Sequence, residues 1–264
     1  MTDDRNTPPA LDPFARFRAA TRARIGLGRA GDAAPLAARL DFQLAHAGAR
    51  DAVHGRVDWD RLEAELPPWP SGRAVRVKSA APDRDTYLRR PDLGRRLDPA
   101  GATLPAAGDW DLAVVIGDGL SAAAIQAWAA PVLAALLPLL PGWRLAPLVL
   151  AEQARVALGD PIGAALGARQ VAVLIGERPG LTSADSLGIY LTWDPRPGRR
   201  DSERNCISNV HGAGLPPARA AAKLAWLAGA ARRLGLTGID LKEDADAALT
   251  AAPAAPTLLS SVSS

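Results

Sequence analysis

Cysteine is nearly absent from the 264 residues: Cys206 stands alone, which excludes an internal disulfide and any metal site built on a cysteine cluster. Lysine is almost as scarce, limited to Lys78, Lys223 and Lys242. The formal charge of +3 therefore rests on arginines scattered among acids, with no basic block interleaved with aromatics, and no nucleic-acid partner is expected. No window approaches the roughly 18 uninterrupted apolar residues of a membrane span. The start MTDDRNTPPALDP also lacks the basic-then-apolar order of a secretory signal, so the chain is expected to be cytoplasmic, with no membrane partner. GxxxxGK[ST] is missing, Ser121 lies in GLSAA and not in G-x-S-x-G, and no histidine stands where a catalytic triad could be argued. No metal-ligand spacing occurs either. No catalytic residue and no metal ligand are assigned to this chain.

Apolar residues make up 48% of the sequence, enough for a substantial core. The first eleven or so residues are polar and proline-rich and are expected to be flexible. Asp12-Pro13 reads as a helix start running to Arg24. Leu36, Leu40 and Leu44, every four residues, predict a helix over 34–47 or slightly beyond with a buried stripe. A short helix is expected over 58–66, stopped by Pro67-Pro68. His46 and His54 read as hydrogen-bonded residues of a helical packing layer, since no carboxylate or cysteine stands at ligand spacing. PPWPSG, residues 67–72, is a linker by composition, so residues 1–70 form a helical amino-terminal region and 71–264 a second unit.

Past the linker, Val75 and Val77 alternate with charges in a short strand, and a helical turn over 83–96 must end or kink at Pro91. Four arginines within eight of its residues, Arg89, Arg90, Arg95 and Arg96, find acids or a negatively charged ligand or stay solvated, the last being the default reading. Strands are expected at 112–116, 145–150, 171–175 and 187–193. Helices fill 121–139, bent at Pro131, 152–166 in two pieces around Gly159-Asp160-Pro161, and 217–234. Strands alternating with helices argue for an α/β fold with a mostly parallel, Rossmann-like sheet covered on both sides. Its ligand crevice should lie beyond the carboxyl ends of the strands.

Two loops fall at that edge. Gly117-x-Gly119-x-x-Ala122 partly matches the dinucleotide fingerprint, but Glu152 comes too late for the ribose acid and Asp118 would oppose a pyrophosphate. The other runs from Leu174 through Glu177 and Arg178, and a charged turn then delivers Arg204-Asn205-Cys206-Ile207-Ser208-Asn209. Buried, so many polar groups need partners from protein or ligand. The plainer reading makes Glu177 and Arg178 solvated loop charges, Cys206 an ordinary buried thiol and the asparagines turn formers.

TRARIGLGRAG (21–31), LDFQLAHAGARDAVH (40–54), TYLRRPDLGRRL (86–97), GDGLSA (117–122), LIGERPGL (174–181), DSLGIYLTW (185–193) and ERNCISN (203–209) together resemble the small, or light, subunit of ethanolamine ammonia-lyase. The resemblance runs in order over nearly the whole chain. It implies adenosylcobalamin-dependent conversion of ethanolamine to acetaldehyde and ammonia by a radical mechanism. It further implies a large subunit that carries the substrate site and no activity from this chain by itself. Carried over by motif, the cobalamin contacts fall on Val156, Glu177 and Cys206. D-x-H-x-x-G is missing, so base-on binding is implied. Cys206 is expected to pack against the cofactor and not to relay a radical. The family often has Ala-Asp-Gly-Leu-Ser where this chain has GDGLS, and no amphipathic helix precedes residue 12, which leaves enclosure in a bacterial microcompartment open. The rival readings are a stand-alone dinucleotide-binding oxidoreductase and a scaffold subunit that has lost its cofactor.

Overall fold

The computed structural model describes residues 12–100 and 104–244; the expected flexible start of the chain lies outside them. Its centre is a sheet of six strands: β1 (Val75–Lys78), β2 (Ala113–Gly117), β3 (Val149–Glu152), β4 (Gln170–Gly176), β5 (Leu187–Trp193) and β6 (Arg204–Val210). They lie side by side in the order β1-β3-β2-β4-β5-β6. The protein is α/β, and the sheet is mixed. β1, β3, β2 and β4 run parallel, whereas β5 and β6 each run antiparallel to the neighbour before them.

The direction of each strand follows from what joins it to the last. β2, β3 and β4 are each reached by a connection that contains helix, which carries the chain back to the starting end. Between β4 and β5 there is only the loop 177–186, so the chain re-enters from the same end and β5 must run backwards. The expectation of a parallel sheet is thus corrected at its last two strands. β6 is a strand that the sequence reading misses, because its burial alternates irregularly and its pairing with β5 carries a bulge between Leu187 and Ile189. β3 begins later than expected, after Pro147.

Every residue of β2 and β4 is buried, as strands covered on both faces must be. On one face, α5 (Ala122–Leu136) and α7 (Pro217–Leu234) press Ile125, Leu133, Leu224 and Leu227 against Val114, Ile116, Leu174 and Ile189. On the other, α6 (Gly159–Leu166) presses Ile162 and Leu166 against Val115, Val171 and Val173. Among the described residues one stretch, Ala122–Leu139, is long and apolar enough to cross a membrane, and it contains α5, whose Ala129, Val132, Leu133 and Leu136 are buried in this core.

Ahead of the sheet come α1 (Ala15–Ala20), α2 (Leu36–His54) and α3 (Trp59–Glu65), with α4 (Arg84–Arg89) after β1. α1 starts later and stops sooner than expected. Asp12 accepts from the Phe14 amide and pairs with Arg18, so it holds the turn before the helix. α3 is capped by Asp58, whose side chain accepts from Arg61 N at 3.1 Å, and its Leu62 joins the core under α5, as does Trp69. Asp83 caps α4 in the same way through Thr86 N at 2.7 Å. α2 departs most from its reading. Leu36, Leu40 and Leu44 are 68%, 55% and 74% exposed, and Ala52 is the one buried residue of the helix. The periodicity marks an apolar face correctly, but no described element of this chain covers it.

Candidate functional site

The carboxyl ends of β2 and β4 are bound together by backbone. Gly119 adopts φ +57°, and a Cβ there would lie 2.2 Å from Gly176 O; a Cβ on Gly176 would lie 2.2 Å from Ser121 O. Leu120 N donates to Gly176 O at 2.8 Å, and Ser121 Oγ accepts from Ala124 N at 3.1 Å, capping α5. Two of the donors at the turn, Leu120 N and Ala124 N, are thus taken up inside the chain, which counts against a dinucleotide phosphate there. Asp118 faces inward too. It accepts from Ala154 N at 2.9 Å and pairs with Arg84 at 3.2 Å. Burial pushes its carboxyl up to about 6 against the pull of Arg84.

Beside this edge, on the α6 face, a cavity of about 370 Å3 is lined by Arg95, Arg155, Val156, Tyr190, Arg204 and Cys206, among others. Val156 opens a 3-10 turn, Val156–Leu158, held in place where Arg155 N donates to Gly94 O at 2.8 Å. Tyr190 of β5 and Cys206 of β6 are register partners, so their side chains stand on the same face of the sheet. Cys206 is exposed as a residue, but partial removal of its thiol from water raises it above its ordinary value; Tyr190 works the other way and the Glu177 carboxylate adds to the rise. The thiol stays protonated at neutral pH and offers soft packing surface.

Glu177 is the first residue past β4. Its Oε2 accepts from Ser186 Oγ at 2.5 Å and from Asn209 N at 3.3 Å, tying together the ends of β4, β5 and β6. Oε1 takes no hydrogen bond among the described residues and lies over Gly188, where a Cβ would come within 2.9 Å of it. One oxygen is structural and the other is free for a donor from outside.

The floor of the cavity is an ion pair. Arg204 donates to both carboxylate oxygens of Asp160 at 2.7 Å, to Thr192 Oγ1 at 2.8 Å and to Arg199 O at 3.1 Å, and both charged side chains are 2% exposed. Burial opposes the Arg204 charge, but Asp160 outweighs it and the guanidinium is held above its usual value. The pair locks β6 to the start of α6.

A second cavity, about 550 Å3, adjoins the first and shares Arg155 as a wall; His46, Arg50, Val53, His54, Leu88 and Arg178 also line it. Both histidines are exposed, and His46 stacks on Phe42 with ring centroids 6.4 Å apart, so they belong to a cavity rim and not to a packing layer. No group of three or more possible metal ligands occurs among the described residues. Of the residues named by the resemblance, Val156 and Cys206 line this cavity and Glu177 stands at its edge; the sequence names Arg204 among polar groups needing partners but gives no role to Arg155, Tyr190 or Asp160. Tyr190 could have been found from the period-two alternation of β5; the partnership of Asp160 with Arg204, 44 residues apart, leaves no local signal.

Residues 11–242 match the model of a protein family described as ethanolamine ammonia-lyase light chain. The chain is 52% identical over 262 residues to the ethanolamine ammonia-lyase small subunit of Xanthomonas campestris pv. campestris, covering 95% of this chain and 96% of that one. It is 51% identical over 252 residues to the small subunit of Azotobacter vinelandii, covering 92% of each. To that of Pseudomonas syringae pv. tomato it is 49% identical over 249 residues, covering 91% and 86%.

Proposed function

Because the chain belongs to the ethanolamine ammonia-lyase light-chain family, we propose that it is the small subunit of an adenosylcobalamin-dependent ethanolamine ammonia-lyase, working with a large subunit in the cytoplasm. The carrying observation is the pair of adjoining cavities, about 370 and 550 Å3, whose shared wall and rims hold Val156, Cys206 and the neighbour of Glu177. Neither encloses a large ligand, and a half-open site suits a flat macrocycle whose other side is covered by a second chain. In this reading residues 71–264 are a Rossmann-like cobalamin-binding unit and residues 1–70 a helical amino-terminal region.

The residues fit the group. When bound, adenosylcobalamin supplies the radical chemistry; this chain supplies position and exclusion of water. Glu177 Oε1 accepts a hydrogen bond from a corrin amide or a nucleotide hydroxyl. Val156 and the protonated Cys206 give apolar contact. The cofactor would be bound base-on, as the family resemblance implies. No residue here is assigned a catalytic role.

The large subunit, we infer, also covers α2. One side of this helix, with Ala38 and Phe42, runs along a groove of about 670 Å3 with Leu27 and Leu181, and continues through His46, Ala49 and Val53 into the second cavity. A chain that closes the cavity meets this side of α2; with ~3.6 residues per turn Leu36, Leu40 and Leu44 lie on the opposite side, so the same chain has to wrap round the helix to bury these leucines, which otherwise stand in water.

Co-expression with a large subunit, followed by addition of adenosylcobalamin and ethanolamine, should yield acetaldehyde only when both chains are present. Turnover by this chain alone would overturn the reading. Tight NAD binding without a second chain would favour the oxidoreductase, and an intact complex without corrin absorbance the cofactor-free scaffold. In the reconstituted complex Glu177→Ala should weaken cobalamin binding by ~1–3 kcal/mol, the cost of a lost buried hydrogen bond. Unchanged affinity in a titration followed by corrin absorbance would remove Glu177 from the site.

A further inference from the structure

Among the described residues Arg155 has no counter-ion. Its guanidinium lies over the Tyr87 ring, 4.3 Å from the centroid, and Arg84 lies over the same ring at 4.8 Å. Gly94 leaves the space for this stack, since a Cβ there would fall 2.8 Å from both Arg155 Cγ and Tyr87 Cε2. Nε of Arg155 is buried with no hydrogen-bond partner, and Nη2 reaches only Tyr87 O at 3.4 Å. Arg95 and Arg178 line the two cavities on either side of it, and among the described residues none of these three arginines forms an ion pair. Burial lowers the Arg155 pKa, and repulsion from Arg84, Arg178 and Arg95 lowers it further. This chain has brought positive charges together at a cost and has left an acceptor for them to be supplied from outside.

We propose that Arg155, Arg178 and Arg95 bind a phosphate diester, and that in the assembled enzyme this anion is the phosphodiester in the nucleotide loop of cobalamin. The assignment rests on the cofactor reading above. Guanidinium forks match phosphate oxygens, and the unfilled Nε edge of Arg155 is the donor geometry such an oxygen takes. Arg155 precedes Val156 and Arg178 follows Glu177, so the residues expected to hold the corrin are flanked by those that would hold its anionic tail.

The test uses the complex of this chain with its large subunit and two inactive corrinoids. Cyanocobalamin carries the phosphodiester; cobinamide has the same corrin and lacks it. Arg155→Met, and separately the exposed Arg178→Met, should raise the Kd for cyanocobalamin roughly tenfold or more, as expected for a lost charge-assisted hydrogen bond, while the Kd for cobinamide changes by less than about twofold. Arg155→Lys should restore part of the loss. Thermal unfolding of each variant shows that the fold is kept, and Arg178→Met carries the test if Arg155→Met fails to fold.

Equal weakening of both corrinoids would overturn the proposal. So would unchanged cyanocobalamin affinity, whether the variants instead lose the thermal stabilisation given by inorganic phosphate, which marks a free-phosphate site, or lose the large subunit, which marks an acidic protein segment as the counter-ion. A wild-type complex that binds neither corrinoid refutes the cofactor reading itself, a result distinct from selective loss of discrimination.

Discussion

Arg204→Met should destabilise the chain by ~3–5 kcal/mol, the range seen when one partner of a buried ion pair is removed and the other stays charged. Asp160 would keep a carboxylate 2% exposed with its two 2.7 Å donors gone. Heat-induced unfolding should drop by roughly 10 °C, given about 2–4 °C per kcal/mol for a chain of this size. The double variant Arg204→Met with Asp160→Leu should cost less than either single change, because it leaves no orphaned charge. Equal or additive losses in that cycle would show that the pair is not coupled as its geometry requires. The loss should reach function as well: Arg204 is two residues from Cys206, so loosening β6 removes a wall of the proposed cofactor cavity and should weaken corrinoid binding.

Replacing Leu40 and Leu44 together by Asp should act in the opposite way. Both side chains are more than half exposed, so the isolated chain should lose no more than about 0.5 kcal/mol. Association with the large subunit should weaken roughly a hundredfold or more, since two leucines buried on assembly contribute ~1.5–3 kcal/mol each. Size-exclusion chromatography of the mixed chains and a titration of one against the other measure it. Normal assembly by the double variant would mean that the partner docks elsewhere and that the leucines of α2 face water in the complex too.

These two predictions also mark where the sequence is legible and where it is not. Burial periodicity and caps are local, so Asp58, Asp83 and Ser121 mark helix starts within a residue or so, and the apolar runs of β2 and β4 announce a sheet covered on both faces. What a face packs against is not local. The leucines of α2 carry the same period whether they meet this chain or another, and only the coordinates show that this chain leaves them bare. Strand direction fails for a similar reason: β5 reads as a strand from its apolar run, but its antiparallel course depends on the absence of a helix in 177–186. At the site, the family motifs point to Val156, Glu177 and Cys206. The grouping of the arginines around them becomes visible only when distant segments are brought into contact, as Tyr87 and Arg155 are across 68 residues.

The contact between Gly119 and Gly176 has a consequence for anyone who would reshape this protein. Two loops that touch main chain to main chain, with no side chain between them to trim or swap, move as a single part. Redesign of the GDGLS turn alone, to admit a bulkier corrinoid or a different partner, would drive it into the residue before Glu177 and shift that carboxylate. A workable redesign has to replace both loops at once.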